Sequence, residues 1–144
     1  MFAEVQIHEL KPRMICTANE ELKNGAPVEY TPATRKLANA TGATKYVVTN
    51  SKKYDGIFSV MEPTDAEHET IASGDLCIRV PLELGDVFAT TEVTTTGLSA
   101  GDPITVSDGK YVKDTAGTPT GGLVYLGAYE NPWNLDMYAI EVVE

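Results

Sequence analysis

Short runs in which apolar and polar residues alternate recur along the chain. Leu76, Ile78 and Val80 alternate with Cys77 and Arg79, which is the pattern of a half-buried strand. Comparable runs occur near residues 104–106 and 137–143, and the apolar run at 123–126 reads as a mostly buried strand. Together they predict a core that contains Ile78, Val80, Ile104, Val106, Val124, Leu126 and Ile140.

Glycine, proline and aspartate separate these runs at intervals too short for helices. Within the segment 98–127, Gly101-Asp102-Pro103 reads as a turn and Ser107-Asp108-Gly109-Lys110 as a tight reversal. Asp-Gly favours a hairpin because glycine adopts positive φ and aspartate bonds its own backbone. We expect helix only as a turn or two near residues 18–22 and 64–70. The chain is therefore predicted to be all-β, a small β-barrel or a sandwich of about ten short strands.

A weaker copy of the segment 98–127 occurs at residues 22–50. Leu22, Gly25 and Pro27 each recur 76 positions later. Two copies of one β-unit predict pseudo-symmetric halves, since a solenoid needs about three or more repeats. Chance recurrence of Gly-x-Pro turns is the alternative, and the sequence leaves both open.

The length of 144 residues suits one domain or two small fused subdomains. We divide the chain into an N-terminal arm, residues 1–12, and a β-domain, residues 13–96. The β-domain contains the first repeat copy, 22–50, and an insertion. A C-terminal unit, residues 97–144, is expected to pack as one domain with the rest.

The formal net charge of −10 makes anionic binding partners unfavourable. Phosphate contacts need clustered Lys and Arg, so the charge argues against nucleic acid and against an anionic membrane surface. Cys16 and Cys77 lie in apolar strands outside any CxxC spacing, so we expect free buried thiols. The N-terminus lacks the pattern of a signal peptide, and no apolar run approaches the ~20 residues of a membrane span. We expect a soluble protein made in the cytoplasm.

Candidate chemistry is sparse. Only His8 and His68 could act as imidazole bases, and the chain has no GxSxG, Walker A or GxGxxG motif. The acidic segment 62–70, which holds His68, raises a metal hypothesis, but it lacks EF-hand spacing and an HExxH motif, so a solvated connector is favoured. We therefore predict no enzyme, no catalytic residue, no metal and no cofactor.

The C-terminal third resembles the capsid decoration (cement) proteins of tailed bacteriophages and prophages. The resemblance covers about residues 97–143, with an echo at 22–50. It departs from the family in the length upstream of Gly97 and in the insertion Tyr129–Asp136. The motifs that carry it are Gly101-Asp102-Pro103-Ile104, Asp108-Gly109-Lys110, Thr118-Pro119-Thr120-Gly121 and Ile140-Glu141-Val142.

This resemblance implies a structural virion protein with a β-tulip-like C-terminal unit. Such a protein lies on the capsid exterior and ties neighbouring major capsid subunits together, and a homotrimer is expected. The alternative is a carbohydrate-binding β-module of a phage tail or fibre, in which Tyr129 and Trp133 would stack on a sugar. A tryptophan that plugs one end of a β-barrel is the favoured interpretation of this residue. A small metal-dependent hydrolase is the weakest hypothesis.

The N-terminal arm is the predicted capsid-binding element. It alternates weakly and carries Phe2, Val5, Ile7 and Leu10. An unpaired apolar edge strand is an aggregation hazard unless a partner covers it, and strand addition to a coat subunit would do so. On this hypothesis, deletion of residues 2–10 would weaken capsid binding and leave stability intact. The competing interpretation is that the arm pairs within its own subunit or oligomer.

Overall fold

The computed structural model describes residues 2–6, 13–50, 70–115, 122–131 and 135–144. The fold is all-β, as predicted. Its strands form two large sheets of six and five strands and a small sheet of two, β3 and β7. The strands are β1 (Phe2–Gln6), β2 (Met14–Ala18), β3 (Leu22–Lys23), β4 (Val28–Thr31), β5 (Lys36–Asn39), β6 (Tyr46–Asn50), β7 (Thr70–Ile71), β8 (Leu76–Pro81), β9 (Val87–Thr90), β10 (Pro103–Ser107), β11 (Lys110–Lys113), β12 (Leu123–Tyr129) and β13 (Met137–Val142).

The predicted helical turn near residues 18–22 is wrong. Ala18 ends β2 and Leu22 begins β3. The Ala18 amide donates to the Asp75 carbonyl and the Asn19 amide to the Leu37 carbonyl, so neighbouring strands take the backbone bonds that a helix would need. Of the other predicted turn, residues 64–69 lie outside the described residues.

The first curled sheet has the strand order β4-β5-β2-β8-β6. Its two edges meet, because Pro27 bridges Val47 and the Gly25 amide donates to the Val48 carbonyl at 2.8 Å. The sheet thus wraps around its own core, and β3 and β7 contribute one residue each to that core. The buried residues of this core are Cys16, Ala18, Leu22, Ala26, Val28, Leu37, Val48, Ile71 and Cys77.

The second curled sheet has the strand order β1-β9-β13-β12-β10-β11, and Val93 beyond β9 bridges Tyr111. Its inner face packs on the outer face of the first sheet, from which Val47 and Val80 point into the shared core. The buried members of this core are Ala40, Val47, Val80, Leu82, Phe88, Val93, Ile104, Val106, Tyr111, Leu123, Tyr125, Ile140 and Val142.

Both sheets use the same backbone hydrogen bonds. The pairing of Pro27 with Val47 in the first sheet is matched by Pro103 with Val124 in the second. The chain therefore folds one β-unit twice. The matching bonds are Gly25 N to Val48 O (2.8 Å) and Val48 N to Ala26 O (3.1 Å) in the first sheet, and Gly101 N to Tyr125 O (2.7 Å) and Tyr125 N to Asp102 O (2.9 Å) in the second.

This correspondence extends to the outer strands of each unit. Val48 pairs with Arg79 on β8, and Tyr125 pairs with Ile140 on β13. Arg79 in turn pairs with Met14, as Ile140 pairs with Phe88. A four-residue layer of the first sheet, Met14, Tyr30, Tyr46 and Arg79, thus corresponds to Phe88, Val106, Leu123 and Ile140 of the second.

The predicted Asp-Gly hairpin is confirmed. Ser107 pairs with Lys110, and both residues between them have positive φ, 46° at Asp108 and 74° at Gly109. Two positive φ values define the turn whose twist matches the flanking strands. The Gly109 amide donates to the Ala40 carbonyl at 3.0 Å, so the hairpin tip joins the two curled sheets.

The predicted core is right in β8, β10 and β13 and wrong in β12. Val80, Ile104, Val106 and Ile140 are buried, and Ile78 is half-buried against the shared core. In β12, however, Leu123 and Tyr125 point inward. Val124 is only half-buried and Leu126 is 40% exposed.

This error is a one-residue slip of register in a continuous apolar run. The run 123–126 offers no alternation that would mark its inner face. A bulge between Tyr125 and Gly127 then leaves Leu126 without a partner on β13.

Cys16 and Cys77 are free and buried, as predicted, and they face each other across β2 and β8. Burial raises the pKa of both thiols, that of Cys77 to about 12. Because the thiolate is the reactive form, the folded protein holds both groups in an inert state.

Candidate functional site

The N-terminal arm pairs within its own subunit over its described residues. β1 forms the edge of the second curled sheet against β9, and the Phe2 ring lies 5.9 Å from the Phe88 ring. Val5 is 42% exposed and remains open to a partner. Ile7 and Leu10, the other predicted arm contacts, lie outside the described residues.

The insertion 129–136 is closed by the side chain of Asn131. Its Nδ2 donates to the Leu135 carbonyl at 2.8 Å, and its Oδ1 accepts from the Leu135 amide at 3.1 Å. A cleft of about 310 Å³ lies beside this turn, lined by Ala128, Tyr129, Glu130, Asn131 and Leu135. Trp133, the predicted stacking partner of Tyr129, falls outside the described residues.

Two described residues of the same insertion pack on the outer face of the second sheet. Tyr129 and Leu135 pack on Ala89 and Met137, which are both fully buried. Tyr129 therefore has a structural contact that a purely sugar-binding residue would not need. Tyr129 and Leu135 thus close a small third core over Ala89 and Met137.

The outer face of the first sheet is exposed at the corresponding positions, beyond the part where Val47 and Val80 enter the shared core. Ile15 pairs with Ile78 as Ala89 pairs with Ala139, so the two faces are equivalent. Ile15 is 63% exposed and Leu76 is 60% exposed. We call the surface formed by Ile15, Leu76 and Ile78 the apolar ridge.

The first sheet also has a cation, Arg79, at the position where the second sheet has the buried residue Ile140. The Cζ atom of Arg79 lies 4.4 Å from the centre of the Tyr30 ring and 4.6 Å from that of Tyr46. The two rings meet edge to face with centroids 6.3 Å apart. The Nε atom of Arg79 is buried without a hydrogen-bond partner. We call Arg79, Tyr30 and Tyr46 the arginine cage.

The hypotheses of catalysis and of metal binding rest largely on residues that the structure does not describe. His8, His68 and positions 62–69 of the acidic segment are all among them. Among the described residues, no group of three or more His, Cys, Asp or Glu side chains could hold a metal ion. That part of the chain also contains no helix that is long and apolar enough to cross a membrane.

Comparison with known proteins yielded no matching family model and no matching curated protein. The site residues must therefore be judged on geometry alone. Sequence reasoning missed both the apolar ridge and the arginine cage. Ile15 looked like an ordinary strand residue. Arg79 carried a signal, since it interrupts the apolar strand β8, but its aromatic partners come from the distant strands β4 and β6.

Proposed function

We propose that this chain is a structural virion protein that decorates the capsid of a tailed phage and bridges neighbouring coat subunits. The observation that carries the proposal is the apolar ridge. In the second copy Tyr129 and Leu135 cover Ala89 and Met137 on this outer face. The equivalent residues of the first copy, Ile15 and Leu76, are exposed. An exposed apolar surface of this kind is typical of a protein interaction site.

The N-terminal arm adds a second surface to the proposal. β1 is an edge strand of the second curled sheet, so one row of its main-chain groups faces away from β9. A neighbouring coat or decoration subunit could add a strand there, with Val5 filling a pocket. Edge pairing in a closed ring would also suit the homotrimer that we propose.

The test uses assembled capsids of coat proteins from tailed phages. We expect the protein to cosediment with them, and a charge on the ridge, Ile15→Asp or Leu76→Asp, to weaken binding about tenfold or more, because a desolvated carboxylate costs several kcal/mol. Leu84→Asp is the matched control, because Leu84 is 67% exposed in the turn between β8 and β9.

Two results would contradict the proposal. Failure of the wild-type protein to sediment with any assembled coat lattice would remove the decorating function. Equal losses in the Leu84 variant and in the ridge variants would show that the ridge is not the contact. Sedimentation equilibrium measures the oligomeric state, and we expect a homotrimer.

The cleft beside Tyr129 supports the second candidate, a carbohydrate-binding β-module. A volume of about 310 Å³ can hold a small sugar. Titration of host polysaccharides against the fluorescence of the single tryptophan tests this candidate. A saturable change that is lost in Tyr129→Ala would favour it over capsid decoration.

A further inference from the structure

We infer that the arginine cage is a carboxylate-binding site, which receives an Asp or Glu side chain of a partner protein at the open end of the first curled sheet. The inference goes beyond the proposed function, because it names a second site and its ligand. It also holds for any acidic protein partner.

The guanidinium is held in a fixed position. Tyr30 and Tyr46 come from β4 and β6, the two edge strands that meet when the first sheet closes. Both rings lie within cation–π distance of Arg79, which limits the orientations of its planar fork. A guanidinium fixed in this way can bind a carboxylate through two parallel hydrogen bonds at little further entropic cost.

The charge of Arg79 has no counter-ion in the described part of the chain. The salt bridges there involve Lys23, Lys110 and Lys113, and none reaches Arg79. This is notable in a chain with 21 acidic and 11 basic residues. A half-buried cation without an ion pair to any described carboxylate is suited to an anion from outside.

A second guanidinium strengthens the local positive field. Burial raises the pKa of the Cys16 thiol, and Arg79 and Arg35 both oppose that rise. Arg35 precedes β5 and accepts a bond from the Thr17 amide at its carbonyl, so it flanks β2 on the side opposite β8. Two of the three arginines of the chain therefore act on one end of the first sheet.

The fold itself does not require this cation. At the equivalent position the second sheet has Ile140, and Val106 and Leu123 replace the two tyrosines. That copy closes with a wholly apolar layer. The arginine cage is thus an addition to the β-unit, which points to recognition rather than to folding.

The direct test is a titration of the isolated, ¹⁵N-labelled protein, followed by NMR at the Nε–Hε resonance of Arg79. The probes are acetate and a short glutamate-containing peptide, with sodium chloride at matched ionic strength as the baseline and phosphate as the competing anion. We expect a saturable shift with both carboxylates. Arg79→Lys should weaken the affinity about fivefold, because the ammonium loses the planar fork, and Arg79→Met should abolish binding.

Lys110→Met is the matched control, since it removes an exposed cation of the second sheet and should leave the affinity unchanged. Thermal unfolding of each variant shows whether it is folded. If Arg79→Met does not fold, Arg79→Lys still decides the test. A shift no larger than that with chloride would overturn the inference. So would carboxylate binding that survives in Arg79→Met, or phosphate binding about tenfold tighter than carboxylate. None of these results depends on capsids, so they are separate from failure of the proposed function.

Discussion

At the place where the second curled sheet buries Ile140, the first holds Arg79 between two tyrosines. The outer faces differ in the same sense. Ala89 and Met137 lie beneath the insertion of the second sheet, whereas Ile15 and Leu76 are exposed on the first. The same backbone hydrogen-bonding pattern therefore holds two different sets of side chains. The second copy directs its side chains to its own core, and the first presents both an apolar and a cationic surface.

The two copies share one backbone scheme, so the difference between their surfaces comes from their side chains. The hydrogen bonds that close the two units agree to within a few tenths of an ångström. The second copy shows that the β-unit can close with apolar residues alone. The arginine cage of the first copy is therefore an addition to the unit. The predictions that follow compare the two copies, from the largest expected effect to the smallest.

The largest effect is expected from truncating the layer of the second copy. Phe88 is fully buried and contacts both Phe2 and Tyr111, so Phe88→Ala should lower the free energy of unfolding by about 3–5 kcal/mol. The equivalent Met14 is only half-buried, and Met14→Ala should cost clearly less. Urea denaturation of both variants measures the difference. Equal losses would contradict the asymmetry.

Deletion of Phe2–Gln6 should come next. Among the described residues the first copy has no strand equivalent to β1, while in the second β1 pairs with β9 and places Phe2 on Phe88. Loss of that burial should cost about 1.5–3 kcal/mol, in contrast to the unchanged stability that the sequence suggested. A deletion variant with the melting temperature of the wild type would show that the arm does not belong to this core.

The contact between the two curled sheets at the hairpin tip is tested by substituting Gly109. Its φ of 74° disfavours any side chain with a Cβ atom, and a Cβ there would collide with the Asn39 side chain. Gly109→Ala should therefore destabilise the protein by about 1–3 kcal/mol. Gly101→Ala has a similar φ of 96° with open space around it, so it isolates the backbone cost from the collision. A loss no greater at Gly109 than at Gly101 would argue against the contact between sheets.

The smallest effect concerns the hydroxyl of Tyr111. It is fully buried without a hydrogen-bond partner, and burial raises the pKa of this phenol. Tyr111→Phe should be neutral or stabilising by up to about 1 kcal/mol, since it removes a desolvated polar atom and keeps the ring. Its counterpart by sequence alignment in the first copy is Leu37, which has no polar atom to bury. A clear loss of stability, measured by thermal unfolding, would reveal a partner for the hydroxyl.

The sequence predicted the fold class, the Asp-Gly hairpin and most of the core. These features depend on local signals, namely alternation and turn residues. It failed at Val124 and Leu126, where a continuous apolar run hides the register, and at residues 18–22, where distant strands take the backbone bonds. The arginine cage was out of reach because closure of the first sheet alone brings Tyr30 and Tyr46 together. Exposure of Ile15 was equally hidden, since alternation cannot show which faces are covered.

Replacement of the whole layer tests the central claim, that the first copy carries its cation for binding and not for folding. The variant Met14→Phe, Tyr30→Val, Tyr46→Leu, Arg79→Ile gives the first copy the four residues of the second. We predict a free energy of unfolding within about 2 kcal/mol of the wild type, because these four residues pack together in the second copy and the side-chain volume that is lost leaves only a small cavity, together with complete loss of acetate binding. Destabilisation by more than about 3 kcal/mol, or acetate binding that persists in the folded variant, would contradict the claim.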